Sequence, residues 1–192
     1  VRPLSFLLTE IGKGTAMRQF ALGHYVPRRH WDSASFESRD YSRMLLGFKT
    51  GRNVYSRWFA ERMAQFLSSV NLHGVVIVCV PASTRYSHVR RWKRFSQQLC
   101  RLTGAIDGFD RVQVSGSRKR AHVTGEYELA TNIKHYVHVD GDWFRGRQVL
   151  VIDDIWTTGQ SSRAFIGAMQ AAGADVVMAV YLAKTLQSCS CR

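Results

Sequence analysis

Long apolar runs are missing from this 192-residue chain. None approaches the ~18 residues that a membrane-crossing helix needs. Leu4–Leu8 is too short for the core of a secretion signal, so a cytoplasmic location and no membrane partner are expected. Proline is scarce, three in all, and repeats and low-complexity tracts are lacking, which argues against a long disordered region. The four cysteines make no disulfide framework. Cys79 and Cys100 sit in apolar runs and suit buried thiols. Cys189 and Cys191 form a C-x-C tail with no second pair, too few ligands for a metal. Acid is the scarcest charge: 14 Asp and Glu face 27 Lys and Arg, a net charge of +13. A polyanionic partner follows, nucleic acid or a small phosphate-rich molecule, unless the basicity serves only solubility. The bases cluster at Arg85–Arg94 and Arg118–Arg120.

What is present reads as one α/β domain with a parallel sheet flanked by helices. The length suits a single well-buried domain. Glu37 to Leu67 carries apolar residues at helical spacing in two pieces, broken at Lys49–Asn53. Val75–Val80 is six apolar residues, a strand buried on both faces. Trp92–Leu102 reads as a helix that Gly104 ends, and Arg111–Val114 and Tyr136–Val139 as possible strands. Val149–Ile152, Ser161–Ala172 and Val176–Leu182 form a strand, helix and strand in about 35 residues, the length of a parallel crossover unit. Ser115–Asn132 is long, polar and aperiodic, the kind of loop that usually carries function. Gly141–Gly146 reads as a turn, and residues 1–30 give no clear pattern.

One string stands out, Val149–Ser161, VLVIDDIWTTGQS. Ligands of parallel sheets gather at the carboxyl ends of strands, which is where Asp153 and Asp154 fall. Paired carboxylates accept several hydrogen bonds, enough for a sugar diol, and can help hold a hydrated Mg²⁺. Thr157, Thr158, Gly159, Gln160 and Ser161 then lead into a helix, whose first N–H groups favour an anion. Acids for a diol beside donors for a phosphate fit a ribose 5-phosphate. Taken singly, an Asp pair also suits helix entry, and T-T-G also suits plain capping.

The string resembles the signature of type I phosphoribosyltransferases, which bind 5-phosphoribosyl-1-pyrophosphate (PRPP). Further segments are similar to ComF-like (competence-type) members: Arg43–Arg52, Val80–Ser83 followed by Arg94–Gln97, and Asn132–Lys134. They span roughly residues 40–185 in the right order. The Gly and Asn of the family's R-G-F-N-Q pattern are missing from Arg94–Gln97, and no N-terminal cysteine cluster is present. The resemblance implies the type I phosphoribosyltransferase fold, with an acceptor-binding N-terminal hood over 1–50, outside the sheet, and a PRPP-binding core over 51–192. It implies that Asp153 and Asp154 hold the ribose hydroxyls and, through water or ribose, Mg²⁺. Ile155 and Thr157 to Ser161 would hold the 5-phosphate.

By the same resemblance, Ala82, Ser83, Thr84 and Arg85 would bind pyrophosphate on a loop with a cis peptide between Val80 and Ser83. A mobile loop at 115–132 would bring Arg118, Lys119 and Arg120 to the departing pyrophosphate, with His122 as a weaker acid–base candidate. Arg90, Arg91, Lys93 and Arg94 are expected mostly on an exposed helix face, with Trp92 packing. The implied activity is transfer of phosphoribosyl from Mg²⁺-bound PRPP to a nitrogenous acceptor. Non-catalytic PRPP binding, association with nucleic acid and a homodimer are the other expectations.

Overall fold

The computed structural model describes residues 9–10, 17–115 and 133–186, with residues 9, 10 and 134 described by backbone alone. Strands β1 (Thr9–Glu10), β2 (Arg18–Ala21) and β3 (His24–Tyr25) come first. Helices α1 (Phe36–Lys49) and α2 (Asn53–Phe66) follow. Then come β4 (Val76–Cys79), α3 (Arg85–Thr103), β5 (Ile106–Asp107) and β6 (Val112–Val114). After residue 132 the elements are β7 (Val137–Val139), α4 (Gly141–Phe144), β8 (Gln148–Trp156), α5 (Gln160–Ala171) and β9 (Asp175–Thr185).

The main sheet runs β1-β2-β9-β8-β4-β5, with β3 also on β9. Only the β1–β2 pair is antiparallel. A separate antiparallel pair joins β6 to β7. The fold is therefore α/β, with a mainly parallel sheet between helical layers. On one face α1, α2 and α3 bury Leu45, Phe48, Phe59, Met63, Trp92 and Phe95 against Ile77, Leu150 and Ile152. On the other, Phe165 and Met169 of α5 pack with Val112, Val114 and Phe144 on Val76, Val78 and Val151. Alternation explains the division: successive residues of β4 and β8 point to opposite faces, and both faces are covered, so both strands are continuously apolar.

Several sequence expectations change. Helix α3 begins at Arg85, seven residues before Trp92. Thr84 caps it, its Oγ1 accepting from the Ser87 N–H at 3.1 Å. Strand β8 continues through Trp156 rather than ending at Ile152, and Gly141–Phe144 is a short helix rather than part of a turn. Residues 18–21 and 24–25, expected in a hood outside the sheet, pair in parallel with β9 inside it. The break between α1 and α2 is a turn through Gly51, whose φ of 75° is a left-handed conformation.

Candidate functional site

Strands β4 and β8 lie side by side, and their chains leave in opposite directions. From β4 the chain crosses by α3 on one face to β5; from β8 it crosses by α5 on the other face to β9. This is a switch point of the sheet, and ligands of open parallel sheets bind outside the carboxyl ends of the strands at such a point. Both segments singled out in the sequence, 81–85 and 153–161, flank it.

The pairing explains how the acids are presented. β4 is in register with β8 only as far as Cys79 opposite Ile152. Beyond that, β8 keeps its β9 partner, with Asp153 opposite Tyr181 and Trp156 opposite Lys184. Asp153–Trp156 thus has one supported edge and one edge without a β4 partner. The acids stand inside a strand, not after one.

Neighbours on a strand point to opposite faces, and the two carboxylates have different surroundings. Asp154 is 6% exposed. Its Oδ2 accepts from Arg91 Nη1 at 2.5 Å, and its Oδ1 lies 3.3 Å from Lys49 Nζ. Burial works to raise its pKa, but Lys49 and Arg91 outweigh that and hold it below the usual value. Asp153 is half-buried, and its Oδ1 accepts from the Asp154 N–H at 2.8 Å. Burial, and then the charge of Asp154, push its pKa up to about 7. The pair is split: Lys49 and Arg91 favour the ionised form of Asp154, while burial and the Asp154 charge favour the protonated form of Asp153.

Thr157, Thr158 and Gln160 are exposed, Ile155 and Ser161 half-buried and Gly159 buried. Gly159 is the N-cap of α5, with φ 72° and no side-chain cap. A Cβ there would meet Trp156 Nε1 at 2.6 Å. Glycine is demanded twice, by the left-handed backbone and by the indole. Ser162 Oγ donates to the Gly159 carbonyl at 3.1 Å, and the Tyr181 hydroxyl lies 3.0 Å from Ser162 Oγ. A buried relay from β9 therefore holds the T-T-G turn from beneath.

In the segment 81–85, Pro81 and Ala82 are buried, Ser83 and Thr84 half-buried and Arg85 exposed. The cis peptide expected between Val80 and Ser83 is not found: the described residues contain no cis peptide bond. Buried His88, stacked on Phe109 at 4.9 Å, supports the segment, with Nδ1 3.5 Å from the Ala82 nitrogen. Burial first, then Arg91, pull the His88 pKa down to about 4.

Arg91 departs from the expectation of an exposed face shared with Arg90, Lys93 and Arg94. Its side chain is only 17% exposed and turns inward to Asp154. Lys49, Tyr181 and the inward turn of Arg91 escape sequence reasoning because the packing of other elements brings them to the string; His88 lies only six positions from Ala82, but the basic run around it gives no clear sign that its ring is buried. A weak signal exists for Arg91 and His88 in the i, i+3 spacing that puts both on one helix face with buried Trp92 and Phe95. Trp92 is packed in the core as expected, and Cys79 and Cys100 are buried free thiols. Arg118, Lys119, Arg120, His122, Cys189 and Cys191 lie outside the described residues. Among described residues, no helix is long and apolar enough to cross a membrane, and no three His, Cys, Asp or Glu gather as a metal site.

No protein-family model matches the chain, and no curated protein matches it. Solved structures do. A phosphoribosyltransferase from Corynebacterium diphtheriae matches with a TM-score of 0.43 and 15% identity, covering 78% of this chain and 97% of that one. A hypoxanthine phosphoribosyltransferase from Staphylococcus aureus matches with a TM-score of 0.37 and 15% identity, covering 69% and 74%.

Proposed function

We propose that this chain is a phosphoribosyltransferase that binds PRPP with Mg²⁺ and transfers the phosphoribosyl group to a nitrogenous acceptor, releasing pyrophosphate. One observation carries the reading: the acid pair and the T-T-G turn of the signature-like string flank the switch point of a parallel sheet, opposite the 81–85 segment. The α5 N-terminus and the Gly159 turn suit the 5-phosphate. Asp153, with Oδ2 uncommitted, and Asp154 suit the ribose hydroxyls. Arg85, a cation in the first turn of α3, runs against the helix dipole. A bound phosphate would relieve that conflict, which supports Ala82–Arg85 as the pyrophosphate side.

The donors fit Mg²⁺ only as a companion of the substrate. Asp154 has both oxygens engaged, so Asp153 is the residue that would help hold the ion, through water, alongside the substrate's phosphates. When bound, the ion would neutralise charge on the leaving pyrophosphate. The protein's own part is positioning and charge complementarity. Arg118, Lys119 and Arg120 remain candidates for closing over the reaction.

Pyrophosphate release from PRPP and Mg²⁺, measured across a panel of bases, tests this. One base should support turnover, and Asp154→Asn should lower kcat/KM on the order of 100-fold. If no base supports release above background, the transferase reading fails.

A second reading, association with nucleic acid, has one specific support. Helix α3 exposes Arg85, Arg90, Lys93, Arg94 and Arg101 and contains no acid along 19 residues. Beside it, Arg57, Arg94 and Arg101 with Asn53, Gln97 and Gln98 line a groove of about 400 Å³.

A further inference from the structure

We infer that Lys49 and Arg91 join the 82–85 segment in binding the pyrophosphate group, and that they rest on Asp154 until the ligand arrives. The inference builds on the PRPP reading and names residues that the signature-like string does not contain.

Three observations carry it. First, two cations from separate helices, α1 and α3, converge on one carboxylate at 3.3 and 2.5 Å. Two cationic tips are thereby gathered at one point, beside the Asp153–Asp154 pair, where an anionic ligand would meet both. Second, Arg91 Nε is buried and has no hydrogen-bond partner. A guanidinium presents five N–H donors in a fork matched to phosphate oxygens, and here only one arm is committed to Asp154. Third, Arg91 stands between the two halves of the site. It lies one turn along α3 from His88, whose ring reaches Ala82, and its tip reaches Asp154.

The chemistry of PRPP makes that location specific. The pyrophosphate hangs from C1, and C2 carries the neighbouring hydroxyl. A cation touching a carboxylate that holds the ribose diol therefore lies near the leaving group. On binding, the hydroxyls replace the cations on Asp154, and the cations turn to the phosphates. Asp154 keeps hydrogen-bond donors in both states, because the hydroxyls take the places that the cations leave.

Calorimetric titration with three probes tests this: inorganic pyrophosphate, ribose 5-phosphate and PRPP. Arg91→Met and Lys49→Met should each weaken pyrophosphate and PRPP about tenfold or more, and change ribose 5-phosphate by no more than about twofold. Asp154→Asn should do the reverse, weakening ribose 5-phosphate while pyrophosphate binding holds or tightens. Arg91→Lys should recover part of the pyrophosphate affinity.

Unchanged pyrophosphate affinity in Arg91→Met and Lys49→Met overturns the inference. So does an equal loss of pyrophosphate and ribose 5-phosphate, which would mean that the two cations only hold Asp154 in place. Should Arg91→Met fail to fold, Lys49→Met and Arg91→Lys decide the matter, since the Lys49 side chain is 33% exposed. A wild-type protein that binds ribose 5-phosphate but not pyrophosphate sinks this inference alone. One that binds none of the three sinks the PRPP reading with it.

Discussion

At the scale of single residues, Gly159 has the narrowest choice. Its φ of 72° and the Trp156 indole nitrogen 2.6 Å from where a Cβ would sit both exclude a side chain. Gly159→Ala is expected to cost about 1–2 kcal/mol from the left-handed backbone alone, and more if Trp156 must move. Since Trp156 and α5 both border the switch point, ribose 5-phosphate affinity should fall along with the melting temperature. A variant that melts and binds like the parent would show that the turn is not held as described. The glycine is legible in the sequence as part of T-T-G. The demand from Trp156 is not, because a side chain three residues back has to fold over the turn before it can crowd it.

At the scale of elements, β8 and α3 show how neighbours set boundaries. Composition ends β8 at Ile152, because two acids follow. The chain continues as strand because β9 still offers hydrogen bonds as far as Lys184. Helix α3 begins at Arg85 because Thr84 caps it, while the run of bases that follows gives no clear apolar period. Its exposed acid-free face is the element on which the nucleic-acid reading depends. Lys93→Glu with Arg94→Glu should flatten the dependence of log K on log salt by about 0.7–0.9 for each phosphate that the helix no longer neutralises. PRPP binding should be unaffected, because both residues are exposed and neither reaches Asp154. Filter binding of single- and double-stranded oligonucleotides across a salt series would measure it. An unchanged slope removes α3 as the nucleic-acid surface.

At the scale of the whole molecule, half-buried Asp153 and buried His88 pull stability in opposite directions with pH. Asp153, with its pKa raised to about 7, keeps its proton when folded, whereas the unfolded chain loses it near 3.8. Its contribution is full below about 3.8 and is lost as pH rises to about 7. His88, with its pKa lowered to about 4, stays neutral when folded, whereas the unfolded chain takes up a proton near 6.5. Its contribution is full above about 6.5 and is lost as pH falls to about 4. Over the shared window the two slopes offset each other. Relative to the parent, Asp153→Asn should make stability rise more steeply with pH between about 4 and 6.5, and His88→Asn should make it fall. Denaturant melts at several pH values would read both, and slopes of the same sign would refute the assignment.

The sequence by itself determined the elements that depend on local patterning. Apolar runs such as Val75–Val80 and Val149–Ile152 specify buried strands, because only a sheet covered on both faces removes them from water. The order of strands, helices and turn residues then settles the α/β class, and Val149–Ser161 marks the place to look. Only the tertiary structure decided which charges meet there. Lys49, Arg91 and Asp154 are far apart in the chain, the last two by 63 positions, and no periodicity links them. They come together because α1 and α3 pack on the same face of the sheet, while the end of β4 leaves the acid-bearing stretch of β8 without a partner on that edge. The hydrogen-bonding partner of a buried carboxylate is set by that packing, and so is the ionised form that its cations favour.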